Sequence, residues 1–130
     1  MKNAPLDIES MKRGHLEIEL LGEHIATQAA HLDAAIHRLL TDIRTFDQAA
    51  GWFRQGTRSC AAWLSWRVGW DSRTARDHVR VANRLGDLPL VDEALRHGEL
   101  SYSKVRAITR VATPEIEATL VEYARYTTGA

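Results

Sequence analysis

Arg73, Arg76, Arg80 and Arg84 recur at intervals of three, four and four residues. On an α-helix that spacing places four guanidinium groups on one side. Ala75, Val79, Ala82 and Leu85 repeat in the same rhythm and form an apolar stripe that would seat the helix on a core. A planar, permanently charged guanidinium matches the oxygens of a phosphate bidentately, so this helix has the chemistry to meet a nucleic-acid backbone. Ser72 and Thr74, near the helix start, add donors for phosphate, and Arg58, Arg67 and Lys104 would supply further backbone contacts. The blander reading is a solvated, salt-bridged face. Asp77 lies four residues after Arg73 and three before Arg80, where an exposed pair is worth only ~0.3–0.5 kcal/mol. Asp87, Asp92 and Glu93 are the carboxylates that would have to reach across from the next helix.

The arginine helix needs a scaffold, and the longest periodic stretch precedes it. Residues 1–14 contain Pro5 and Gly14 and read as a lead-in. From His15 to Phe46, the residues Ile18, Leu21, Ile25, Leu32, Ile36, Leu39, Ile43 and Phe46 recur at threes and fours, with Gln28 in the one missing step. A helix through them would be about 45 Å long, longer than a domain of this size is wide. Coiled-coil pairing with a second copy would cover the stripe, with Gln28 fixing its register. The alternative is a helix kinked near Gly22 and packed along its own domain. Residues 15–50 are thus read as an oligomerisation helix and 51–130 as a helical DNA-binding-like domain.

Within that second part, Gly51 and Gly56 flank Trp52 and Phe53, an aromatic pair expected to fold back on the core. Ser59 caps a helix dominated by Trp63, Leu64 and Trp66, expected to build the core rather than stack on bases. Asp71 or Ser72 caps the arginine helix. Pro89 opens the next, which closes at His97 and Gly98. Ser101 caps a further helix with Val105, Ile108 and Val111 inward, and Thr113–Pro114 starts a last one with Ile116, Leu120 and Tyr123 inward. No strand alternation occurs, so the fold is expected to be all-α: a long first helix, then a bundle of about five short helices containing a helix-turn-helix-like unit.

The 130 residues carry 17 basic and 17 acidic side chains, but residues 51–110 hold eleven basic against six acidic. Fourteen of the basic residues are arginine, a bias that suits phosphate but also follows from a GC-rich genome. His24 and His31 share a helix face, and Asp33 and His37 are four apart, a spacing that can hold a metal. With no Cys or HExxH pattern beside them, solvated histidines are the expectation, and no metal or other cofactor is expected in this chain. The lone Cys60 sits in an apolar run and reads as a buried small hydrophobe in a reducing compartment. No apolar run nears the ~20 residues of a membrane span and no signal peptide opens the chain, so a cytoplasmic location is expected. No small-molecule substrate is evident. There is no Gly-rich phosphate loop and no nucleophile–His–Asp arrangement, so this chain alone is not expected to catalyse.

Several fragments, in order, resemble a known family. They are S-C-A-A-W-L from Ser59, T-A-R from Thr74, V-A-N-R-L from Val81, and L-P at Leu88 and Pro89. A-L-R-H-G-E-L-S from Ala94, K-V-R-A-I-T-R-V-A-T-P-E from Lys104 and A-R at Ala124 complete the series. Residues Ser59 to Arg125 resemble the domain of unknown function found N-terminal to an HNH nuclease domain in actinobacterial proteins, including the thirteen-E-twelve repeat family. The resemblance implies a nuclease domain following residue 130, and a divalent metal only there. His78, Asn83 and His97 do not form the ββα unit such a nuclease requires. Gly69, Ser72, Leu88, Pro89, Gly98, Leu100 and Ser101 also stand in the order seen in the more distantly similar helix-turn-helix region of chromosome-partition proteins. His78 falls where that template expects an apolar residue. Together these readings imply a non-catalytic DNA-binding and dimerising module whose partners are duplex DNA and a second copy, with a helical interaction scaffold as the alternative.

Overall fold

A computed structural model describes residues 7–127, and all regular structure among them is helical. The elements are α1 (Ile8–Gln48), α2 (Gly51–Arg54), α3 (Cys60–Arg67), α4 (Ser72–Leu85), α5 (Pro89–Arg96), α6 (Tyr102–Ile108) and α7 (Glu117–Tyr126). The five short helices expected from the sequence are present, and α2 adds a single turn after α1.

Local signals explain most of the boundaries. The carboxylate of Asp7 accepts the N–H of Ser10, so α1 starts at Ile8, well before the expected His15, and Gly14 and Gly22 lie inside one unbroken helix. Pro5 lies outside the described residues. Ser59 and Ser101 cap α3 and α6 by accepting the N–H groups of Ala62 and Lys104. Asp71, not Ser72, caps α4: its carboxylate accepts the Thr74 N–H at 2.8 Å and the Thr74 hydroxyl at 3.0 Å. Those two bonds hold the Asp71 carboxyl below its ordinary range.

The forty-one residues of α1 form a rod about 61 Å long. Among the described residues only its C-terminal part packs on other elements, mainly α4 and α5. Leu40 and Ile43 enter a core with Leu64 of α3, Val81 and Leu85 of α4, Leu88, Val91 and Leu95 around α5, Leu100, and Val105 and Ile108 of α6. Polar contacts set the position of α1 on this core. Asp33 accepts the N–H of Tyr102, His37 bonds Asp92 at 2.9 Å, Arg44 donates to the Ala82 carbonyl, and Asp47 accepts from Trp52 and Asn83. Gly98 shows why the α5–α6 turn tolerates only glycine: its φ is +69°, and a Cβ would lie 2.6 Å from the Ala30 carbonyl oxygen. N-terminal to Ala30 almost every residue of α1 is exposed, so roughly 33 Å of helix projects from the domain.

Five inward assignments need correction. Val111 is 63% exposed, because α6 ends at Ile108 and the chain turns before that position faces the core. In α7 the buried residues are Glu117, Val121 and Ala124, while Ile116 and Tyr123 are exposed, because the helix begins at Glu117 and docks on α5 through a different stripe. Among the aromatics, Trp52 packs on the core and Trp63 lies 4.5 Å from Phe46, but Phe53 and Trp66 are 72% and 65% exposed. Cys60 is buried as expected, and burial, with Asp47 nearby, pushes its thiol up to about 11.

The docking of α5 uses a device that spacing does not reveal. Leu88 offers no side-chain cap and Pro89 no N–H, leaving the first turn of α5 without a local acceptor. The Glu117 carboxylate, brought up by α7, accepts the N–H groups of both Leu90 and Val91 at 3.2 Å. A buried acid therefore serves as the cap of another helix.

Candidate nucleic-acid interface

The four arginines of α4 divide into two kinds. Arg84 donates from Nε to the Thr109 carbonyl at 3.1 Å and from its terminal nitrogen to the Ala112 carbonyl. Arg80 donates to the Thr109 hydroxyl at 3.1 Å and the Arg106 carbonyl at 3.2 Å. These acceptors lie at the C-terminal end of α6, where carbonyls lack helical partners and cations are favoured. Arg84, and to a lesser degree Arg80, thus tie α4 to α6. Arg73 and Arg76 are exposed at the start of α4, Arg76 donating among the described residues only to the Ser72 hydroxyl at 2.8 Å.

The crossing of α4 and α6 adds two arginines that the sequence reading did not place in the site. Arg106 on α6 and Arg110 just after it reach Asp77, the first at Oδ2 and the second at 3.4 Å from Oδ1. Arg80 binds the same carboxylate at 3.1 Å. Arg73, Asp77's expected partner, forms no ion pair among the described residues, and Asp92 and Glu93 bond His37, Arg96 and His97 instead. Arg73, Arg76, Arg80, Arg106 and Arg110 line an open groove of about 450 Å³ around Asp77. Five guanidinium groups against one carboxylate leave it strongly positive. Asp77, its side chain only 12% exposed, fixes three of them at the groove floor.

The other expected contacts lie elsewhere. Lys104 donates to the carbonyls of Ala124 and Thr127 and so closes the end of α7. The Thr74 hydroxyl is spent on Asp71, which also sets a carboxylate at the helix N-terminus where a phosphate was expected. Arg58 and Arg67 are exposed but do not line the groove. His78, the polar residue misplaced for a strict helix-turn-helix, stacks between Trp70 and Tyr102 at centroid distances of 4.3 and 4.8 Å. Its Nδ1 lies 2.8 Å from the Thr74 carbonyl, so that nitrogen carries the proton. Burial, and then the charge of Asp77, push the Tyr102 phenol up to about 12, with Arg106 and Arg80 opposing.

Among the described residues no cluster of three or more His, Cys, Asp or Glu side chains could hold a metal. His37 and Asp33, considered as ligands on spacing alone, bond Asp92 and the Tyr102 N–H. No described helix is long and apolar enough to cross a membrane.

The family model of a domain of unknown function, DUF222, matches residues 20–125, most of the chain and all of the groove. The chain belongs to this family. DUF222 is known as an HNH-associated N-terminal domain, in agreement with the resemblance carried by the fragments from Ser59 to Arg125. No curated protein and no solved structure matches the chain, so the similarity to chromosome-partition proteins rests on residue order alone. The DUF222 match begins at Leu20, within the projecting half of α1, and ends in α7.

Proposed function

We propose that this DUF222 domain is a DNA-binding and dimerising module, the N-terminal part of an HNH-type endonuclease, and is not catalytic by itself. The observation that carries the reading is the convergence of Arg73, Arg76, Arg80, Arg106 and Arg110 on one groove with a single carboxylate. Guanidinium groups fixed from below by Asp77 and open to solvent above suit the phosphates of a duplex backbone. In this reading α3 and α4, joined by residues 68–71, act as the helix-turn-helix-like unit. The α4 arginines free of bonds to other elements among the described residues, Arg73 and Arg76, lie in its N-terminal half, in keeping with the use of recognition-helix N-termini in such units.

The test is duplex affinity measured across salt concentrations. If Arg73, Arg76, Arg106 and Arg110 each neutralise one phosphate, log affinity falls against log salt with a slope of about −3.6 per domain. Arg73→Glu with Arg76→Glu should abolish binding and leave the helical spectrum unchanged, since neither side chain bonds another element among the described residues. A slope near zero would refute the reading.

The scaffold alternative has its own observation. Ile18, Leu21, Ile25 and Leu32 are all more than half exposed along the projecting helix. A protein-interaction scaffold predicts a stable dimer through this helix with no shift of duplex DNA. Ile43 is buried in the chain's own core and Ile36 packs against it, so a seam between copies uses the residues before them.

A further inference from the structure

The orientation of that seam can be argued from one residue, given the dimer just proposed. From Met11 to Leu32 one exposed stripe keeps heptad spacing: Met11, Ile18, Ile25 and Leu32 fall at a, and Leu21 and Gln28 at d with Gly14, while the exposed Leu16 and Leu20 lie off it. Gln28 is exposed and its amide bonds nothing among the described residues. Beyond Leu32 the next a residue, Leu39, is still 42% exposed, but Ile36, Leu40 and Ile43 beside it pack into the chain's own core, so the seam free on both sides ends where the domain begins.

In a parallel, in-register pair each residue meets its own copy, and Gln28 meets Gln28 of the second chain. A primary amide both donates and accepts, so the two side chains satisfy each other within the seam. Reversing one helix sets the a row against the d row. Every a residue of the free seam is apolar, so each antiparallel register buries two Gln28 amides against Met, Ile or Leu with no partner. At the centre of the seam, Ile18 and Ile25 at a with Leu21 at d match the pattern that favours two parallel strands.

We infer that the projecting half of α1 pairs with a second copy as a parallel, in-register two-stranded coil specified by Gln28. Parallel pairing places both domains at the same end of the coil, so two arginine grooves meet one nucleic acid together. The second contact then occurs at a high effective concentration. An antiparallel coil would put the domains at opposite ends.

Gly14→Cys and, separately, Leu21→Cys place a thiol at a d position, leaving the buried Cys60 and the Gln28 amide in place. Each variant is oxidised under mild conditions and run without reductant, beside sedimentation of the unmodified chain. A dimer that cross-links through either cysteine supports the inference, because only parallel strands bring d against d within disulfide reach. A dimer with neither cross-link overturns the parallel pairing and leaves the proposed dimer standing. A monomer at tens of micromolar overturns the dimer and the inference with it, while the salt dependence of DNA binding reports on the groove independently.

Discussion

Replacing Glu117 by alanine should be among the most damaging substitutions in this domain, although the residue is remote from the arginine groove. The residue is 3% exposed and its Oε2 is the acceptor for the Leu90 and Val91 N–H groups. Alanine leaves both donors without a partner. Val91 is fully buried, so its N–H should cost the full ~1–3 kcal/mol of an unsatisfied donor. The Leu90 N–H is only partly buried and water can take over part of that bond. Losing a negative charge at the α5 N-terminus adds roughly 0.3–1 kcal/mol. The sum is about 2–4 kcal/mol, a large share of the ~5–15 kcal/mol that keeps a typical domain folded. For a chain of this size it lowers the melting temperature by roughly 7–15 °C. Glu117→Gln keeps an acceptor oxygen and should cost about 1 kcal/mol. The assay is urea unfolding followed by circular dichroism, all three proteins at one concentration because dimerisation contributes to apparent stability. A loss below about 0.5 kcal/mol in the alanine variant would refute the trans-helix cap. Equal losses in both variants would show that charge, not the acceptor, matters.

Two further outcomes follow from the geometry. Arg84→Ala removes two bonds to the carbonyls of Thr109 and Ala112 and should destabilise by about 1–3 kcal/mol, yet leave the DNA affinity of the folded fraction within twofold. A selective loss of affinity without loss of stability would return Arg84 to the interface. Glu93 is held down to about 2, first by the Arg96 guanidinium and then by His97. A side-chain titration by NMR should find its midpoint there, and Arg96→Ala should move it towards 4.5. Because the folded value is the lower one, the stabilisation is complete above pH 4.5 and disappears as pH falls towards 2. An Arg96→Ala midpoint still near 2 would contradict the assigned cause.

The sequence by itself determined what lies within a turn or two of each residue. Ser59 and Ser101 accept N–H groups three residues on, Pro89 opens α5, and the threes and fours from Ile18 to Ile43 form one helix face. Such features depend on local spacing and survive whatever the helix packs against. Gly14 broke the periodic reading because glycine weakens a helix without ending it, and Asp7 supplies the cap that starts α1 upstream. Only the tertiary structure decided which charges act and which brace the fold. Arg76 and Arg84 fall on the same side of a helical wheel, but α6 ends beside Arg84 and takes its donors, leaving Arg76 in the groove. Arg106 and Arg110 are four residues apart in the sequence, but they belong to the site because the end of α6 crosses α4 at Asp77. No local spacing marks Glu117 as a cap, and it becomes one because α7 docks it under α5. Periodicity names the residues that share a face. What that face meets depends on how the helices cross, and that is set by contacts between residues distant in the chain.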